Sequence, residues 1–325
     1  MLTLAMLLFV VLAVLAIAGP RVKRDTRFTV PDLPDDLDTY LHETESQFGD
    51  LTPGAEKTIF WAHKDKRRTH YAFVYLHGFS ACRQESEPVP SDIAKYFGGN
   101  IYYARLAGNG RSDDSLAEGS VNKWVNDASE ALAISDRIGE QTIIIACSTG
   151  ATIAWWIAQQ KQFKKQIHAM VFFSPNFGVY DKKARFLLWP WGEQLAQATI
   201  GKYRSSEPVT EQQAKFWTNR YPVKALLPLM AMVSLAKKYP PAMGTVPIYT
   251  LYSNLDTTVD AERIKAFYLQ LTAKKTSLLI DNQHAASKHV LVGDIMASHN
   301  NATVTRSVIR FLEDLGLKAA PETRS

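Results

Sequence analysis

Three consecutive isoleucines, followed closely by a serine with small flanking residues, constrain the fold of this chain more than any other feature. Residues 143–145 are typical of a strand buried on both faces of a sheet. Ser148 has Ala146 two residues before it and Gly150 two residues after it, and residues 151–158 have the pattern of a buried helix. A strand-to-helix turn this sharp strains the backbone, exposes the serine hydroxyl and directs the first helical N–H groups towards whatever that hydroxyl attacks. The segment therefore predicts a nucleophile elbow; a serine that only caps the helix is the alternative.

Strand patterns alternate with helix patterns along most of the chain. Alternation of this kind predicts right-handed βαβ units and a mostly parallel sheet covered by helices on both faces, which is an α/β fold. Strands are predicted at 57–62, 71–76, 100–104, 143–145, 168–173, 247–252 and 277–280. Helices are predicted at 35–48, 90–97, 120–138, 151–158, 260–271 and 304–315.

One interval interrupts the alternation. Residues 176–246 contain no clear strand pattern and are much longer than an ordinary connection between a helix and a strand. They are rich in aromatic residues and methionine, so we expect a helical cap (lid) over the strand ends, with Trp189, Trp217 and Met230 as candidate substrate-binding residues. The alternative is a supporting subdomain that has no role at the site.

The remaining boundaries follow from changes in composition. Residues 25–54 are predicted to form a linker and a polar surface helix, and residues 318–325 a flexible tail. The α/β core is assigned to residues 55–175 and 247–317.

Residues 1–24 form a targeting or anchoring segment. Residues 2–18 are uncharged and almost wholly apolar, and three basic residues follow at once. Residues 16–18 offer a small-residue cleavage pattern. A signal peptide also requires a basic residue before its apolar run, and none is present here. We therefore expect association with a membrane through a single N-terminal anchor; secretion or export to the periplasm after signal cleavage is the alternative.

Composition argues against several kinds of binding site. The net charge of +5 is modest, and no basic cluster alternates with aromatics as in a nucleic-acid groove. The two cysteines, Cys82 and Cys147, lack metal-ligand spacing, so neither a metal site nor a disulfide framework is predicted. The glycines of residues 108–110 lack the spacing of a phosphate-binding loop, and no cofactor is expected.

A serine hydroxyl needs a base, a carboxylate that orients the base, and donors for an oxyanion. Asp256 follows the predicted strand 247–252 directly, whereas Asp260 resembles the N-cap of the next helix. Beyond the last predicted strand, His284 and His289 could both reach Ser148; small residues before His289 and an apolar pair after it favour His289. Ser148, Asp256 and His289 are therefore the candidate catalytic residues.

The oxyanion donors are predicted from the loop that follows the strand at 71–76. Gly78 lets the backbone turn so that the N–H of Phe79 can point inward, and the N–H of Thr149 would be the second donor. His77 is expected to brace this loop rather than to transfer protons.

With these motifs in place, the chain resembles the α/β-hydrolase superfamily over nearly everything after residue 55. Within it, the chain is similar to the carboxylesterase, monoacylglycerol-lipase and lysophospholipase-like group. Ala107, Asn109 and Ala146 replace a proline, a histidine and a glycine that are usual in that group. The motifs that carry the resemblance are residues 76–80, 105–110, 146–150, 253–256 and 287–291.

The resemblance implies a serine nucleophile, with Ser148, Asp256 and His289 as the triad and the amides of Phe79 and Thr149 as the oxyanion hole. We expect a hydrolase that cleaves carboxylic esters through an acyl-enzyme, with a small-molecule or lipid-like substrate that carries an apolar acyl chain. Two alternatives stay open: amide or peptide hydrolysis by the same triad, and a catalytically silent, membrane-tethered binding module.

Overall fold

The computed structural model describes residues 2–281 and 286–321. The strands are β1 Thr58–Phe60, β2 Thr69–Leu76, β3 Asn100–Tyr103, β4 Gly139–Cys147, β5 Ile167–Phe173, β6 Tyr203–Ser205, β7 Arg220–Pro222, β8 Ile248–Tyr252 and β9 Lys275–Leu279. The helices are α1 Leu2–Ala18, α2 Leu37–Glu45, α3 Val89–Tyr96, α4 Val121–Ile138, α5 Thr149–Ala158, α6 Gly192–Ile200, α7 Glu211–Phe216, α8 Leu226–Ala236, α9 Ala261–Gln270 and α10 Asn301–Glu313.

Within the described residues, seven strands form one sheet in the order β1-β3-β2-β4-β5-β8-β9. β1 pairs with β3 antiparallel, and every other pairing in this sheet is parallel. The predicted parallel α/β sheet is therefore confirmed. Because the strands run in the same direction, the loops after β2, β4, β5, β8 and β9 meet at one edge of the sheet.

Helices cover the sheet on both faces, as the isoleucine run predicts. Ile144 belongs to a core cluster that includes Trp124 of α4 and Ile153 of α5. Its neighbours Ile143 and Ile145 point to the other face, where α3 and α10 supply the packing. Successive side chains of β4 thus enter different layers, which is why all three positions are apolar.

The cap departs from the prediction in one respect. It contains α6, α7 and α8, but it also contains β6 and β7, which pair antiparallel as a small separate ribbon. The prediction of a purely helical insertion is wrong here, because strands of three residues are too short to show an alternating pattern. α8 is almost wholly apolar and packs against α5.

The N-terminal apolar run forms α1, whose described side chains are mostly exposed. No helix within residues 2–281 and 286–321 is long and apolar enough to cross a membrane. The predicted membrane-spanning anchor at residues 1–24 is therefore not supported.

The segment predicted as a linker lies against α4. The carbonyl of Arg27 accepts hydrogen bonds from the side-chain amides of Asn122 and Asn126, and the Phe28 ring stacks on Phe163 with centroids 5.8 Å apart. α2, predicted as a polar surface helix, buries one side. These contacts join residues distant in sequence, so local polarity did not indicate them.

The tail is also more ordered than predicted in its first residues. The backbone N–H of Lys318 donates to the Tyr71 hydroxyl at 3.1 Å, and that of Ala320 donates to the Tyr96 carbonyl at 2.8 Å. The prediction of a flexible tail is thus wrong for residues 318–320. Residues 322–325 lie outside the described residues.

Candidate active site

The turn between β4 and α5 has the geometry of a nucleophile elbow. Ser148 adopts a φ of 49°, a strained conformation for a residue with a side chain. A Cβ placed on Gly150 would lie 2.1 Å from the Leu76 carbonyl oxygen, so only glycine lets α5 approach β2 this closely. Ala146 is fully buried, so the small residue on the strand side also lies within a close-packed region.

Backbone hydrogen bonds fix the apex of the elbow to the end of β5. The N–H of Ser148 donates to the Phe173 carbonyl at 2.9 Å, and its own carbonyl accepts from the N–H of Asn176 at 3.0 Å. Ser148 is only 6 % exposed. Its hydroxyl is therefore held on a rigid element and largely shielded from solvent.

Asp256 lies in the loop after β8 and is almost fully buried. Its Oδ1 accepts hydrogen bonds from the N–H groups of Thr258 at 2.7 Å and Val259 at 2.9 Å. Asp260 instead caps α9, where its side chain accepts from the N–H of Glu262. The two acids thus have the different structural positions that the sequence indicated.

His289 bridges the serine and the aspartate. Its Nδ1 lies 2.7 Å from Asp256 Oδ2, and its Nε2 lies 3.0 Å from Ser148 Oγ. Because an ionised carboxylate only accepts hydrogen bonds, Nδ1 carries the proton in the neutral imidazole. Nε2 is then free to accept a proton from the serine hydroxyl.

Two further serines hold the backbone of His289. Ser174 Oγ donates to the His289 carbonyl at 2.6 Å, and Ser287 Oγ accepts from the N–H groups of His289 and Val290 at 3.1 and 2.7 Å. Ser174 belongs to none of the motifs that predicted the site. Its position just past β5, at the sheet edge that carries the other groups, was the available signal.

The electrostatics of His289 suit a general base. Burial lowers the pKa of the imidazole, but the Asp256 carboxylate, with a smaller contribution from Glu85, raises it, and the pKa lies above its ordinary value of 6.5. The carboxylate therefore stabilises the imidazolium that would form when the serine loses its proton.

The oxyanion loop (residues 77–81) is braced by a buried histidine. His77 Nδ1 lies 2.7 Å from the Gly78 carbonyl oxygen, and its Nε2 accepts from the N–H of Leu106 at 2.9 Å. The C=O and N–H of a trans peptide point in opposite directions. Fixing the Gly78 carbonyl therefore also fixes the direction of the Phe79 N–H.

The second predicted donor lies at the start of α5. Thr149 is the first residue of this helix, and the N–H groups of a first helical turn have no acceptor inside the helix. They carry the positive end of the helix dipole, so the Thr149 amide sits where a developing negative charge would be stabilised.

The cap contacts the oxyanion loop directly. The N–H of Thr218 donates to the Ser80 carbonyl at 2.7 Å, and Ser80 has a φ of 62°. The Phe79 ring makes edge contacts with Tyr221 at 5.4 Å and with Trp124 of α4 at 6.4 Å between centroids. Cap residues thus help to shape the segment that carries the Phe79 amide.

The three cap residues predicted to bind substrate lie in different environments. Trp217 directly precedes Thr218, whose N–H donates to the oxyanion loop. Trp189 is 57 % exposed and packs edge-on against Phe186, whereas Met230 is buried in the core on α8. None of these contacts joins the three side chains to one another. His284 lies outside the described residues.

Two acidic side chains next to Ser148 and His289 already accept hydrogen bonds from the protein. Asp256 accepts from two backbone N–H groups and His289, and Glu85 accepts from the N–H of Gly78. No group of three His, Cys, Asp or Glu side chains in the described part of the chain is arranged to hold a metal ion.

Comparison with known families agrees with this architecture. The family model described as serine aminopeptidase, S33, matches residues 69–285, about two thirds of the 325 residues. The chain belongs to this family. The α/β-hydrolase resemblance that the motifs indicated is thereby confirmed. A comparison with curated proteins finds no match.

Solved structures of α/β-hydrolases have the same fold at low sequence identity. A structure from the work on LipS and LipT, two metagenome-derived lipolytic enzymes, has a TM-score of 0.65 and 16 % identity, over 81 % of this chain and 99 % of that chain. The monoacylglycerol lipase of Paleococcus ferrophilus has a TM-score of 0.55 and 15 % identity, over 80 % and 98 %. A soluble variant of monoglyceride lipase from Saccharomyces cerevisiae, in complex with a substrate analogue, has a TM-score of 0.59 and 13 % identity, over 81 % and 93 %.

Proposed function

We propose that this member of the family is a serine hydrolase that cleaves carboxylic esters through an acyl-enzyme. Ser148 is the nucleophile, His289 the general base and Asp256 the residue that orients His289. The single observation that carries the proposal is the pair of distances at His289: 2.7 Å from Nδ1 to Asp256 and 3.0 Å from Nε2 to Ser148. Both lie within the range that proton transfer and orientation require.

In the acylation step, Ser148 Oγ attacks the ester carbonyl carbon while His289 Nε2 takes the hydroxyl proton. The carbonyl oxygen becomes an oxyanion, which the N–H groups of Phe79 and Thr149 stabilise. The tetrahedral intermediate then collapses, the alcohol leaves with the proton from His289, and the acyl group stays on Ser148.

Deacylation repeats the sequence with water as the nucleophile. His289 takes a proton from the water, and the hydroxide attacks the acyl carbon. The oxyanion that forms accepts hydrogen bonds from the same two N–H groups. Collapse releases the carboxylic acid and returns the proton to Ser148 Oγ. Asp256 stays ionised throughout, because its role is to stabilise the imidazolium and to keep Nδ1 protonated.

We further propose that the ester carries an apolar acyl chain, as in a monoacylglycerol or a lysophospholipid. The cap is rich in aromatic and aliphatic residues, and Trp217 is the neighbour in sequence of Thr218, which bonds to the oxyanion loop. Two of the similar structures are monoacylglycerol or monoglyceride lipases by description, which supports the same substrate class. Roles in substrate binding for Trp189, Trp217 and Met230 are part of this proposal.

Amide or peptide hydrolysis is the second candidate, because the matching family is described as serine aminopeptidase. An aminopeptidase needs an acid that faces the ammonium group of its substrate. Among the residues that the structure describes, Glu85 and Asp256 are the acids that bond to Gly78 and His289, and both are buried and already hydrogen-bonded. The ester is therefore the favoured substrate class.

The test combines an active-site probe with two substrate series. A fluorophosphonate probe should label wild type and leave Ser148→Ala unlabelled, while Ser46→Ala, which changes an exposed serine after α2, should label like wild type. Hydrolysis of p-nitrophenyl esters should increase with acyl length and exceed that of aminoacyl anilides. Faster cleavage of the anilides would favour the peptidase, and an unlabelled wild type would favour a silent binding module.

A further inference from the structure

A buried glutamate lies directly behind the elbow and takes no part in the mechanism above. Glu85 is in the short helical turn Arg83–Glu85 after the oxyanion loop and is 2 % exposed. A Cβ built on Gly78 would lie 3.0 Å from Glu85 Oε2 and 3.3 Å from the Cβ of Ser148. The carboxyl group of Glu85 is therefore separated from the candidate nucleophile by little more than the backbone of one glycine.

The carboxyl group of Glu85 holds the oxyanion loop. Its Oε1 accepts a hydrogen bond from the N–H of Gly78 at 2.6 Å. On the other side of the same residue, the Gly78 carbonyl is held by His77 Nδ1 at 2.7 Å. Both peptide groups that flank Gly78 are thus fixed, and the second of them carries the N–H of Phe79. Removing either bond would let this amide rotate away from the reacting carbonyl.

The groups around the Glu85 carboxyl determine how easily it ionises. The Tyr75 hydroxyl of β2 lies 3.0 Å from Glu85 Oε1, the Cys147 thiol of β4 faces the carboxyl group, and His289 interacts with it through space. Arg83, in the same turn, has its guanidinium over the Phe60 and Tyr103 rings. Burial raises the pKa of the Glu85 carboxyl to about 7, although the Gly78 N–H, Tyr75 and His289 lower it.

The interaction with His289 works in both directions. The negative charge of Glu85 adds to that of Asp256 in raising the pKa of His289, although burial lowers it. An ionised Glu85 therefore stabilises the imidazolium that forms during acylation, and a protonated Glu85 does not. The Cys147 thiol does not compete for this role, because burial raises its pKa well above the ordinary value.

We propose that Glu85 is a positioning residue of the hydrolytic site, whose carboxylate fixes Gly78, and with it the Phe79 amide, while its charge supports the protonated form of His289. This inference rests on the proposed function. It assigns to one buried acid two effects, on the oxyanion hole and on the general base; ionisation strengthens the first and is required for the second. A neutral isostere at this position keeps an acceptor for the Gly78 N–H but loses the charge.

The test is the pH dependence of kcat/KM for p-nitrophenyl butyrate in wild type and Glu85→Gln. At about pH 8.5, Glu85→Gln should be slower by about tenfold, because a hydrogen bond to a charged group is replaced by one to a neutral group. Below about pH 7, where Glu85 takes up a proton in wild type, the ratio of the two rates should approach one. A purely structural role would leave the ratio constant with pH.

Glu87→Gln is the matched control, because Glu87 lies two residues away and bonds to Tyr103 and Ser91 rather than to Gly78. Glu87→Gln should show the same pH dependence of kcat/KM as wild type.

If Glu85→Gln does not fold, Tyr75→Phe replaces it in the test. The Tyr75 hydroxyl lowers the pKa of Glu85, so its loss should move the acid side of the pH profile to higher pH. An unmoved profile would overturn the inference.

The two proposals fail in different ways. A wild-type protein that neither reacts with the fluorophosphonate probe nor cleaves esters removes the proposed function, and the role of Glu85 with it. An active, labelled wild type with a folded Glu85→Gln of equal rate, or with a rate lower by a constant factor, removes only the role of Glu85.

Discussion

The N–H of Thr218 donates to the carbonyl of Ser80 at 2.7 Å, and this hydrogen bond joins the cap to the oxyanion loop. Ser80 has a left-handed backbone, which few non-glycine residues adopt without support from neighbouring structure. The cap therefore has a mechanical connection to the proposed oxyanion hole in addition to any contact that it makes with substrate.

Truncating the cap residue that packs on this loop should slow the reaction. Tyr221→Ala removes an edge contact with Phe79, a kind of contact worth about 0.5–1.5 kcal/mol. We expect kcat/KM for p-nitrophenyl esters to fall by about two- to tenfold, mainly through kcat. Tyr180→Ala, which changes an exposed tyrosine, is the control. Equal losses in both variants would argue against a specific role of the Tyr221–Phe79 contact.

Replacing Asp256 by asparagine should abolish most activity while leaving the fold intact. An asparagine oxygen can still accept from the N–H groups of Thr258 and Val259, but its NH2 group would face His289 Nδ1 and favour the wrong tautomer. We expect kcat to fall by about 10,000-fold with little change in Tm. Asp260→Asn, at the cap of α9, should keep its activity. Residual activity in Asp256→Asn near that of wild type would contradict the proposed triad.

Much of the sheet and of the site arrangement could be predicted because their signals are local. The run at residues 143–145 is apolar because both faces of β4 are covered. Ser148 directly follows β4, Asp256 lies in the loop after β8, and His289 lies further along the chain after β9. Since parallel strands end at one edge of a sheet, residues far apart in sequence could be placed near one another. Their contacts with one another were not needed for this prediction.

Other features depend on contacts between distant residues and left no local signal. Ser174 Oγ bonds to a backbone carbonyl 115 positions away, at His289. In the sequence, Glu85 has no feature that distinguishes it from a surface glutamate. Only the fold places its carboxyl group against the N–H of Gly78. The order of residues 318–320 has the same origin, because their backbone bonds to Tyr71 and Tyr96, whereas β6 and β7 are too short to show a strand pattern.

Acid should weaken the fold through His77. The Nε2 atom of His77 accepts from the N–H of Leu106, so protonation would place two donors face to face inside the core. Burial lowers the pKa of His77 from 6.5 to about 4. Because the unfolded chain then binds the proton more readily, this stabilisation is complete above about pH 6.5 and is lost as the pH falls towards about 4.

The expected loss from this one group is about 2 kcal/mol between pH 7 and pH 5. It can be measured as the free energy of unfolding in urea at both pH values for wild type and His77→Gln, since the variant lacks the titrating ring. The difference between the two proteins should shrink by that amount at the lower pH. His42→Gln, on the exposed side of α2, should keep the wild-type dependence. A difference that is independent of pH would contradict this account.

The buried ion pair between Glu45 and Arg105 should contribute strongly to stability. The two Glu45 carboxylate oxygens accept from Arg105 Nε and Nη2 at 2.7 Å each, and both side chains are nearly inaccessible to solvent. Glu45→Gln leaves the guanidinium buried without its counter-charge, which costs about 3–5 kcal/mol in sites of this kind. Unfolding in urea should show this loss, whereas Glu43→Gln, exposed on the same helix, should change stability by less than about 0.5 kcal/mol.

The double variant Glu45→Met/Arg105→Met separates charge from packing. It removes both buried charges together, so it should be more stable than Glu45→Gln alone. Arg105 Nη1 also donates to the Asn109 carbonyl at 3.1 Å, in the loop whose Leu106 N–H bonds to His77. The double variant should therefore recover stability but lose some esterase activity through a looser His77. Full recovery of both would show that this ion pair does not help to position the oxyanion loop.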